Sequence, residues 1–192
     1  MFQPHFKQKK IILASQSPRR KQLLEWAEIP FEVVVHPTDE SYPKHLMPIE
    51  VAQHIALEKA IAVQQNHKEA TIIAADTIVV LENSIIGKPV DKNDAISILQ
   101  RLSGKTHQVI TGVALLEGSK QMVFADITAV EFHPITIEQI EFYVDQYKPY
   151  DKAGAYAIQE WIGVTSIKSI KGDFYNVMGL PVSRVILALR QL

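Results

Sequence analysis

The feature that most constrains this chain is a long apolar segment, Thr71–Leu81, which is rich in β-branched residues and is interrupted by Asp76 and Thr77. Such a segment is typical of a strand buried within a sheet. A carboxylate in such a place must be paired, bind a metal or line a cleft, because a buried charge without a partner is costly. The alternative is a structural aspartate that bonds to backbone amides at a turn. The segment alone favours neither interpretation.

Hydrophobic periodicity predicts that strands and helices alternate early in the chain and that two strands form a hairpin in the middle. The predicted strands besides Thr71–Leu81 are Ile11–Ser15, Phe31–Val35, about Val109–Leu116, about Val123–Phe132 and Val164–Ile170. The predicted helices are Pro18–Ala27, Ile49–Gln65, Asp91 to a stop at Gly104, Thr136–Tyr147 and Pro181–Leu192. This order predicts an α/β fold with a mixed twisted sheet and flanking helices. The polar loop His36–Pro48 is long enough to be a lid or a binding loop.

Composition limits the classes of protein to consider. The 192 residues fit one globular domain, 1–192, whose residues 1–9 we expect to be flexible. The absence of cysteine excludes disulfides, thiolate nucleophiles and Cys-ligated metals, and it suits a reducing compartment. A formal net charge of -1 provides no overall field for nucleic acid or membrane, so we expect neither as a partner. Without a signal-peptide core or a membrane span, we expect a soluble, cytoplasmic protein.

The segment Ser15–Arg20 combines hydroxyls, two arginines and a predicted helix N-terminus directly after a predicted strand. Ser17 is the expected N-cap, with Pro18 at the first helical position. Free N–H groups of a first helical turn attract anions, and arginine adds bidentate recognition of oxygen. A phosphate would fit this segment. The alternative, a capped helix with two solvated arginines, also fits the residues.

Other catalytic signatures are absent. Gly104-Lys105-Thr106 resembles the end of a P-loop, but position 99 is Leu and the segment follows a helix, so we interpret it as a helix stop. The chain contains no G-x-G-x-x-G dinucleotide motif and no G-x-S-x-G elbow. The seven histidines are too scattered for a helical zinc site.

Two clusters remain open on their residues alone. Asp151–Gln159 and Gly172–Pro181 are rich in small, aromatic and amide side chains, which suit either a base-recognising cleft or a tight structural turn. Lys59 and Lys88, each taken singly, are typical of solvated surface charges. The structural interpretation is favoured unless something links these segments.

The link is a series of motifs in a fixed order: Ser15–Arg20, Lys59-Ala60, Ala75-Asp76-Thr77, Gly87-Lys88-Pro89, Leu102–His107, Asp151–Gln159 and Asn176–Pro181. From about Ile11 to the C-terminus, this series closely resembles the Maf-like nucleotide pyrophosphatases. The resemblance implies two lobes around a central cleft, in a fold like that of the inosine-triphosphate pyrophosphatases, often as a homodimer. It also implies hydrolysis of a nucleoside triphosphate to the monophosphate and pyrophosphate, assisted by a divalent metal.

Within that family, Arg19, Thr77 and Gln159 match the branch that acts on dTTP and UTP, with modified pyrimidine nucleotides as further candidates. Two residues depart from the family pattern: Ala157 and Glu160 stand where glycine is common, and they could shift substrate preference. The alternatives are a purine or 7-methyl-GTP pyrophosphatase on the same fold and a nucleotide-sensing protein of cell division that does not hydrolyse.

The resemblance also implies roles for individual residues. Asp76 would accept the proton of the attacking water, and Glu40 in the long loop would help to bind Mg²⁺ or Mn²⁺. The remaining assignments are cations and polar groups that hold the triphosphate or the base: Ser15, Arg19, Arg20, Lys59, Thr77, Lys88 and Gln159.

Overall fold

A computed structural model describes residues 9–192 of the chain. Its strands are β1 (Ile11–Leu13), β2 (Glu32–Val33), β3 (Thr71–Leu81), β4 (Ser84–Ile86), β5 (Thr106–Glu117), β6 (Lys120–Phe132) and β7 (Ile167–Lys171). Its α-helices are α1 (Pro18–Trp26), α2 (Pro48–Gln64), α3 (Lys92–Leu102), α4 (Ile137–Tyr147), α5 (Trp161–Ser166), α6 (Phe174–Met178) and α7 (Val182–Leu189). One short 3₁₀ helix covers Ala153–Ala155.

The strands form a seven-stranded sheet in the order β2-β1-β3-β5-β6-β7, with β4 also paired to β3. β1 runs parallel to both β2 and β3, and Ile12 lies opposite Ile72 of β3. The pairs β3–β4 and β6–β7 are antiparallel. The predicted α/β fold with a mixed sheet and flanking helices is therefore confirmed. The prediction of a flexible segment at 1–9 falls on residues outside the described part, except for Lys9, which pairs with Glu117 at 3.0 Å.

The described chain divides into two compact units. The first comprises the residues up to Asp76, together with Thr111–Asp126 and Gly179–Leu192. In its core, Ala56 and Ala60 of α2 pack with residues of β1, β3 and β5. Small residues allow this helix to lie close to the sheet: a Cβ at Gly112 of β5 would lie 2.2 Å from the backbone of Ala52. This close approach fixes the position of α2 in the unit.

The second unit comprises Thr77–Ile110 and Ile127–Met178, and α3 packs against α4 within it. Three rings, those of His107, Phe132 and Tyr156, meet edge to face with centroids 5.1 to 5.4 Å apart. His107 is 1% exposed, and its Nε2 lies 2.7 Å from the Tyr156 hydroxyl. Burial lowers the pKa of His107 to about 4 and raises the pKa of Tyr156.

We expect this buried histidine to make the fold sensitive to acid. Its pKa rises from about 4 in the folded chain toward the ordinary 6.5 on unfolding, so the unfolded chain binds the extra proton first as the pH falls. The stabilisation present above pH 6.5 is lost on acidification, by about 2 kcal/mol at pH 5. Urea unfolding of the native protein and of His107→Gln at pH 7 and pH 5 checks this. The variant should lose less stability between the two pH values, whereas His133→Gln, at an exposed position, should match the native difference.

One predicted element is partly wrong. Residues 164–166 belong to α5, and the strand predicted at Val164–Ile170 begins only at Ile167. The backbone carbonyl of Glu160 accepts hydrogen bonds from Gly163 and Val164, and the Thr165 hydroxyl donates to the carbonyl of Trp161 at 2.9 Å. These local bonds satisfy the turn without a neighbouring strand. Val164 is 82% exposed, so its β-branched side chain does not contribute to a core.

The other predicted elements are present, most of them with shifted ends. Thr71–Leu81 is a strand over its whole predicted length. Thr136 and Gln139 form the predicted capping box at the start of α4. Gly104 follows α3 with a φ of 69°, a left-handed conformation that favours glycine, as expected of a helix stop. Among the helices of residues 9–192, none has the length and apolarity required to cross a bilayer.

Candidate active site

The segment between β1 and α1 forms a capped helix start, as predicted. The Ser17 hydroxyl accepts a hydrogen bond from the backbone N–H of Arg20 at 3.5 Å, and Pro18 occupies the first turn. The Ser15 hydroxyl accepts from the backbone N–H of Ser17 at 3.2 Å. Ser15 is itself buried, and its hydroxyl is held by this bond and by one from Arg20. The N-terminus of α1 and two hydroxyls therefore lie together in the first unit.

Arg20 is the most buried charged residue of this segment, with 9% of its surface exposed. Its Nε donates to the carbonyl of Gly179 at 2.8 Å. Its Nη1 donates to the carbonyl of Ala75 at 2.7 Å and to the hydroxyl of Ser15 at 3.2 Å. The guanidinium thus connects its own segment, which contains Ser15, to two distant parts of the first unit, Ala75 and Gly179. Ala75 is the residue immediately before Asp76.

Electrostatic interactions show which other charges lie near this guanidinium. Burial lowers the pKa of Arg20, Asp76 raises it, Arg19 lowers it and Glu40 raises it, in decreasing order of effect. Arginine remains charged despite such shifts, because its ordinary pKa is far above neutrality. Two cations and two carboxylates therefore interact in one region of the first unit.

Lys59 joins the two carboxylates. Its Nζ lies 2.7 Å from Oδ1 of Asp76 and 2.7 Å from Oε1 of Glu40. Asp76 and Lys59 are largely buried, with 14% and 18% of their side-chain surfaces exposed, whereas Glu40 is half exposed. Lys59 is therefore not the solvated surface charge that its isolated position in the sequence suggests. The carboxylate in the middle of β3 is paired, which is one of the three possibilities left open by the sequence.

The same geometry bears on a divalent metal. Carboxylate oxygens of Asp76 and Glu40 converge on one point, now contacted by the Lys59 ammonium. Among residues 9–192, no group of three or more His, Asp or Glu side chains is arranged to hold a metal ion. Magnesium commonly uses only one or two carboxylates together with water and substrate phosphates. Two carboxylates of this kind fit such a site.

The other three predicted site residues, Thr77, Lys88 and Gln159, belong to the second unit. Thr77 is half-buried in β3, and Lys88 and Gln159 are exposed. The loop that carries Lys88 contacts one of the clusters left open by the sequence, because the backbone N–H of Gly154 donates to the carbonyl of Gly87 at 3.1 Å.

The Gly154 region packs tightly. Gly154 has a φ of 72°, and a Cβ there would lie 2.8 Å from the side chain of Val79 in β3. Glycine is required at such a position by both conformation and space. The motifs that contain Gly87 and Gly154 are therefore neighbours in the second unit.

Residue-by-residue reasoning did not identify the contributions of Gly179 and Asn176. The Gly179 carbonyl accepts from Arg20, and its φ of 122° is a conformation that favours glycine. Asn176 is buried, and its amide donates to the carbonyl of Val109 at 3.1 Å and to the hydroxyl of Thr128 at 3.0 Å. These contacts favour the structural interpretation for Asn176. The motif Asn176–Pro181 was the only signal that could have pointed to both residues.

Comparison with known proteins identifies the family of this chain. The family model described as Maf-like protein matches residues 10–192. A protein named dTTP/UTP pyrophosphatase from Cytophaga hutchinsonii is 48% identical over 186 residues, which cover 97% of this chain and 85% of the relative. A protein of the same name from Phocaeicola vulgatus is 49% identical over 185 residues, covering 95% of this chain and 96% of the relative.

Among solved structures, the Ham1 protein of Staphylococcus aureus has a TM-score of 0.47 and 14% identity, over 65% of this chain and 72% of its own. The family assignment depends on the match over residues 10–192 and on the close relatives. The chain belongs to the Maf-like protein family.

Proposed function

We propose that this protein is a nucleoside triphosphate pyrophosphatase that hydrolyses dTTP and UTP to the monophosphate and pyrophosphate. The observation that carries the proposal is the pairing of Asp76 and Glu40 through Lys59, beside an arginine that holds the backbone before Asp76. Close relatives that bear the name dTTP/UTP pyrophosphatase support the substrate class.

Asp76 is the proposed general base. Water attacks the α-phosphorus, the bond to the bridging oxygen of the leaving pyrophosphate breaks, and the carboxylate of Asp76 accepts the proton of the water. The ammonium of Lys59 donates a hydrogen bond to Oδ1 of that carboxylate at 2.7 Å and so orients it. Since Asp76 is partly exposed, a water molecule can reach it.

The negative charge of the triphosphate calls for several cations. In the first unit Arg19 and Lys59 are proposed to contact phosphate oxygens, with Ser15 and the N-terminus of α1 assisting. Lys88, exposed in a loop of the second unit, is proposed as a further cation. Arg20 is proposed to act through Ala75 and Asp76 as well as through its charge, because three of its hydrogen bonds are made within the protein.

We also propose that the reaction uses Mg²⁺ or Mn²⁺. Glu40 would hold the ion, on the same Lys59 ammonium that contacts the proposed base Asp76. A divalent cation bound there would neutralise phosphate charge and polarise the scissile phosphoryl group. Lys59 contacts both carboxylates and would then determine the distance between Oε1 of Glu40 and Oδ1 of Asp76.

Base selectivity is proposed to depend on Gln159 and Thr77. The amide of glutamine can pair with the N3–H and O4 edge of uracil or thymine, and the same amide turned over suits cytosine. We further propose a homodimer in the cytoplasm, in keeping with the family resemblance and with the absence of cysteine from all 192 residues. The net charge of -1 supports a small substrate rather than a nucleic acid.

Pyrophosphate release over a nucleotide panel tests the proposal. The panel contains dTTP, UTP, CTP, ITP and 7-methyl-GTP, each assayed with Mg²⁺, with Mn²⁺ and with EDTA. We expect turnover of dTTP and UTP that EDTA abolishes. Release from ITP or 7-methyl-GTP alone would assign the protein to the purine alternative, and no release from any nucleotide would favour a sensing role. Equal turnover of dTTP, UTP and CTP would reject the proposed base selectivity.

A further inference from the structure

Ala157 and Glu160, close to the proposed base-reading residue Gln159, are the two departures from the pattern of the family that the sequence resembles. An extra methyl group and a carboxylate at these positions would be expected to crowd the base. In the structure the Ala157 side chain is buried, with 5% of the residue exposed. The Glu160 carboxylate is engaged by protein groups of the second unit, described next. Neither departure leaves an unsatisfied group beside Gln159.

The hydroxyl of Tyr143 joins the two departures. It donates to Oε2 of Glu160 at 2.5 Å and accepts from the backbone N–H of Ala157 at 3.2 Å. Tyr143 lies on α4 and is fully buried, so its hydroxyl is fixed by the packing of its ring. One buried oxygen therefore connects the beginning and the end of the turn Ala157–Glu160.

A buried ammonium supports the same carboxylate. Lys152 is 8% exposed, and its Nζ lies 2.8 Å from Oδ1 of Asp151 and 3.6 Å from Oε1 of Glu160. A buried ammonium needs such partners, since an unpaired charge would be costly. Glu160 thus forms an ion pair with Lys152 and accepts a hydrogen bond from Tyr143.

The backbone of the turn is held independently. The N–H of Glu160 donates to the carbonyl of Ala157 at 3.1 Å, which closes the turn. A Cβ at Gly163 of α5 would lie 1.8 Å from the carbonyl oxygen of Ile158, so the helix packs directly onto the turn. Gln159 is exposed in the middle of this fixed segment. Its backbone has little freedom, although its side chain is open to solvent.

We propose that Glu160 and Tyr143 are positioning residues for base selection, which hold the turn so that Gln159 presents its amide to the uracil or thymine edge. This inference rests on the proposed function. The amide discriminates uracil from cytosine only when its orientation is set, because oxygen and nitrogen exchange roles on a flip. A turn held by a buried hydroxyl limits the positions from which the amide can reach the base.

Tyr143→Phe is the principal test. It removes both hydrogen bonds but keeps the ring, which stacks on Tyr147 with centroids 5.0 Å apart. We expect KM for UTP and dTTP to rise about tenfold, as for one lost hydrogen bond to a charged group, while kcat stays within about twofold. KM for CTP should change less, so the preference for UTP over CTP should narrow.

Three further variants test whether the effect comes from the hydrogen bond between Tyr143 and Glu160. Glu160→Ala should reproduce the rise in KM, and Glu160→Gln, which keeps an acceptor for Tyr143, should remain within about threefold of native. Tyr147→Phe is the matched control on the same helix and should leave KM and kcat unchanged. If Tyr143→Phe fails to fold in a thermal melt, Glu160→Ala carries the same comparison, because Glu160 lies at the partly exposed end of the network.

Equal changes for UTP, dTTP and CTP, or a fall in kcat at constant KM, would overturn the inference and leave the network a structural one. Native KM values in both Tyr143→Phe and Glu160→Ala would also overturn it. These outcomes differ from a failure of the proposed function, in which the native protein itself would release no pyrophosphate from dTTP or UTP.

Discussion

Asp76→Asn should lower kcat for dTTP by a factor of about 10² to 10⁴, the loss typical of a removed general base. Asparagine has nearly the same shape and can still accept a hydrogen bond from Lys59, but it cannot take up the proton of the attacking water. Lys59 also keeps its ion pair with Glu40 at 2.7 Å, so the variant should fold. KM should change less than kcat, because the carboxylate acts on water rather than on the nucleotide.

The measurement is initial pyrophosphate release at saturating dTTP, with a thermal melt to verify folding. Asp126→Asn is a suitable control, since Asp126 lies in the same unit, pairs with Arg184 at 3.4 Å and is 21% exposed. Its kcat should stay within about twofold of native. Native turnover by Asp76→Asn would remove Asp76 from the mechanism.

Much of the fold could be predicted from local patterns. The capping box of Thr136 and Gln139, the cap at Ser17 and the stop at Gly104 each depend on residues within one helical turn. The strand Thr71–Leu81 followed from its own apolar, β-branched composition. The strand prediction at Val164 used a local pattern of the same kind and was wrong. β-Branched residues favour strands, but hydrogen bonds to Glu160 and Trp161 close a helical turn there instead.

The site was predictable as a set of residues but not as a set of contacts. The motif series brought Arg20, Lys59 and Asp76 into one hypothesis. Their partners were not visible, because Arg20 finds its acceptors at Ala75 and Gly179, far along the chain. No local pattern indicates that one lysine contacts two carboxylates or that one arginine is almost wholly buried. Such pairings depend on the sheet and on the packing of α2, which only the folded chain specifies.

Arg20→Lys should therefore lower both activity and stability, although it keeps the positive charge. The guanidinium spans the carbonyls of Gly179 and Ala75 with two separate nitrogens, and a lysine ammonium, as a single point, cannot occupy both positions. Loss of a buried partner should cost about 1 to 3 kcal/mol of unfolding free energy. If the residue before Asp76 then shifts by about 1 Å, kcat should fall about 10²-fold.

The division between kcat and KM separates two roles for Arg20. A cation that only binds phosphate would be partly replaced by lysine, and the change would fall on KM. If Arg20 positions the residues around it, the substitution should instead lower kcat and the unfolding free energy together. Urea unfolding and dTTP kinetics of Arg20→Lys give both quantities, and Arg184→Lys is the matched control, because exposed Arg184 donates to one carbonyl, that of Ala125, at 2.7 Å. Native kcat and native stability in Arg20→Lys would show that the hydrogen bond from Arg20 to the carbonyl of Ala75 does not determine the position of the general base Asp76.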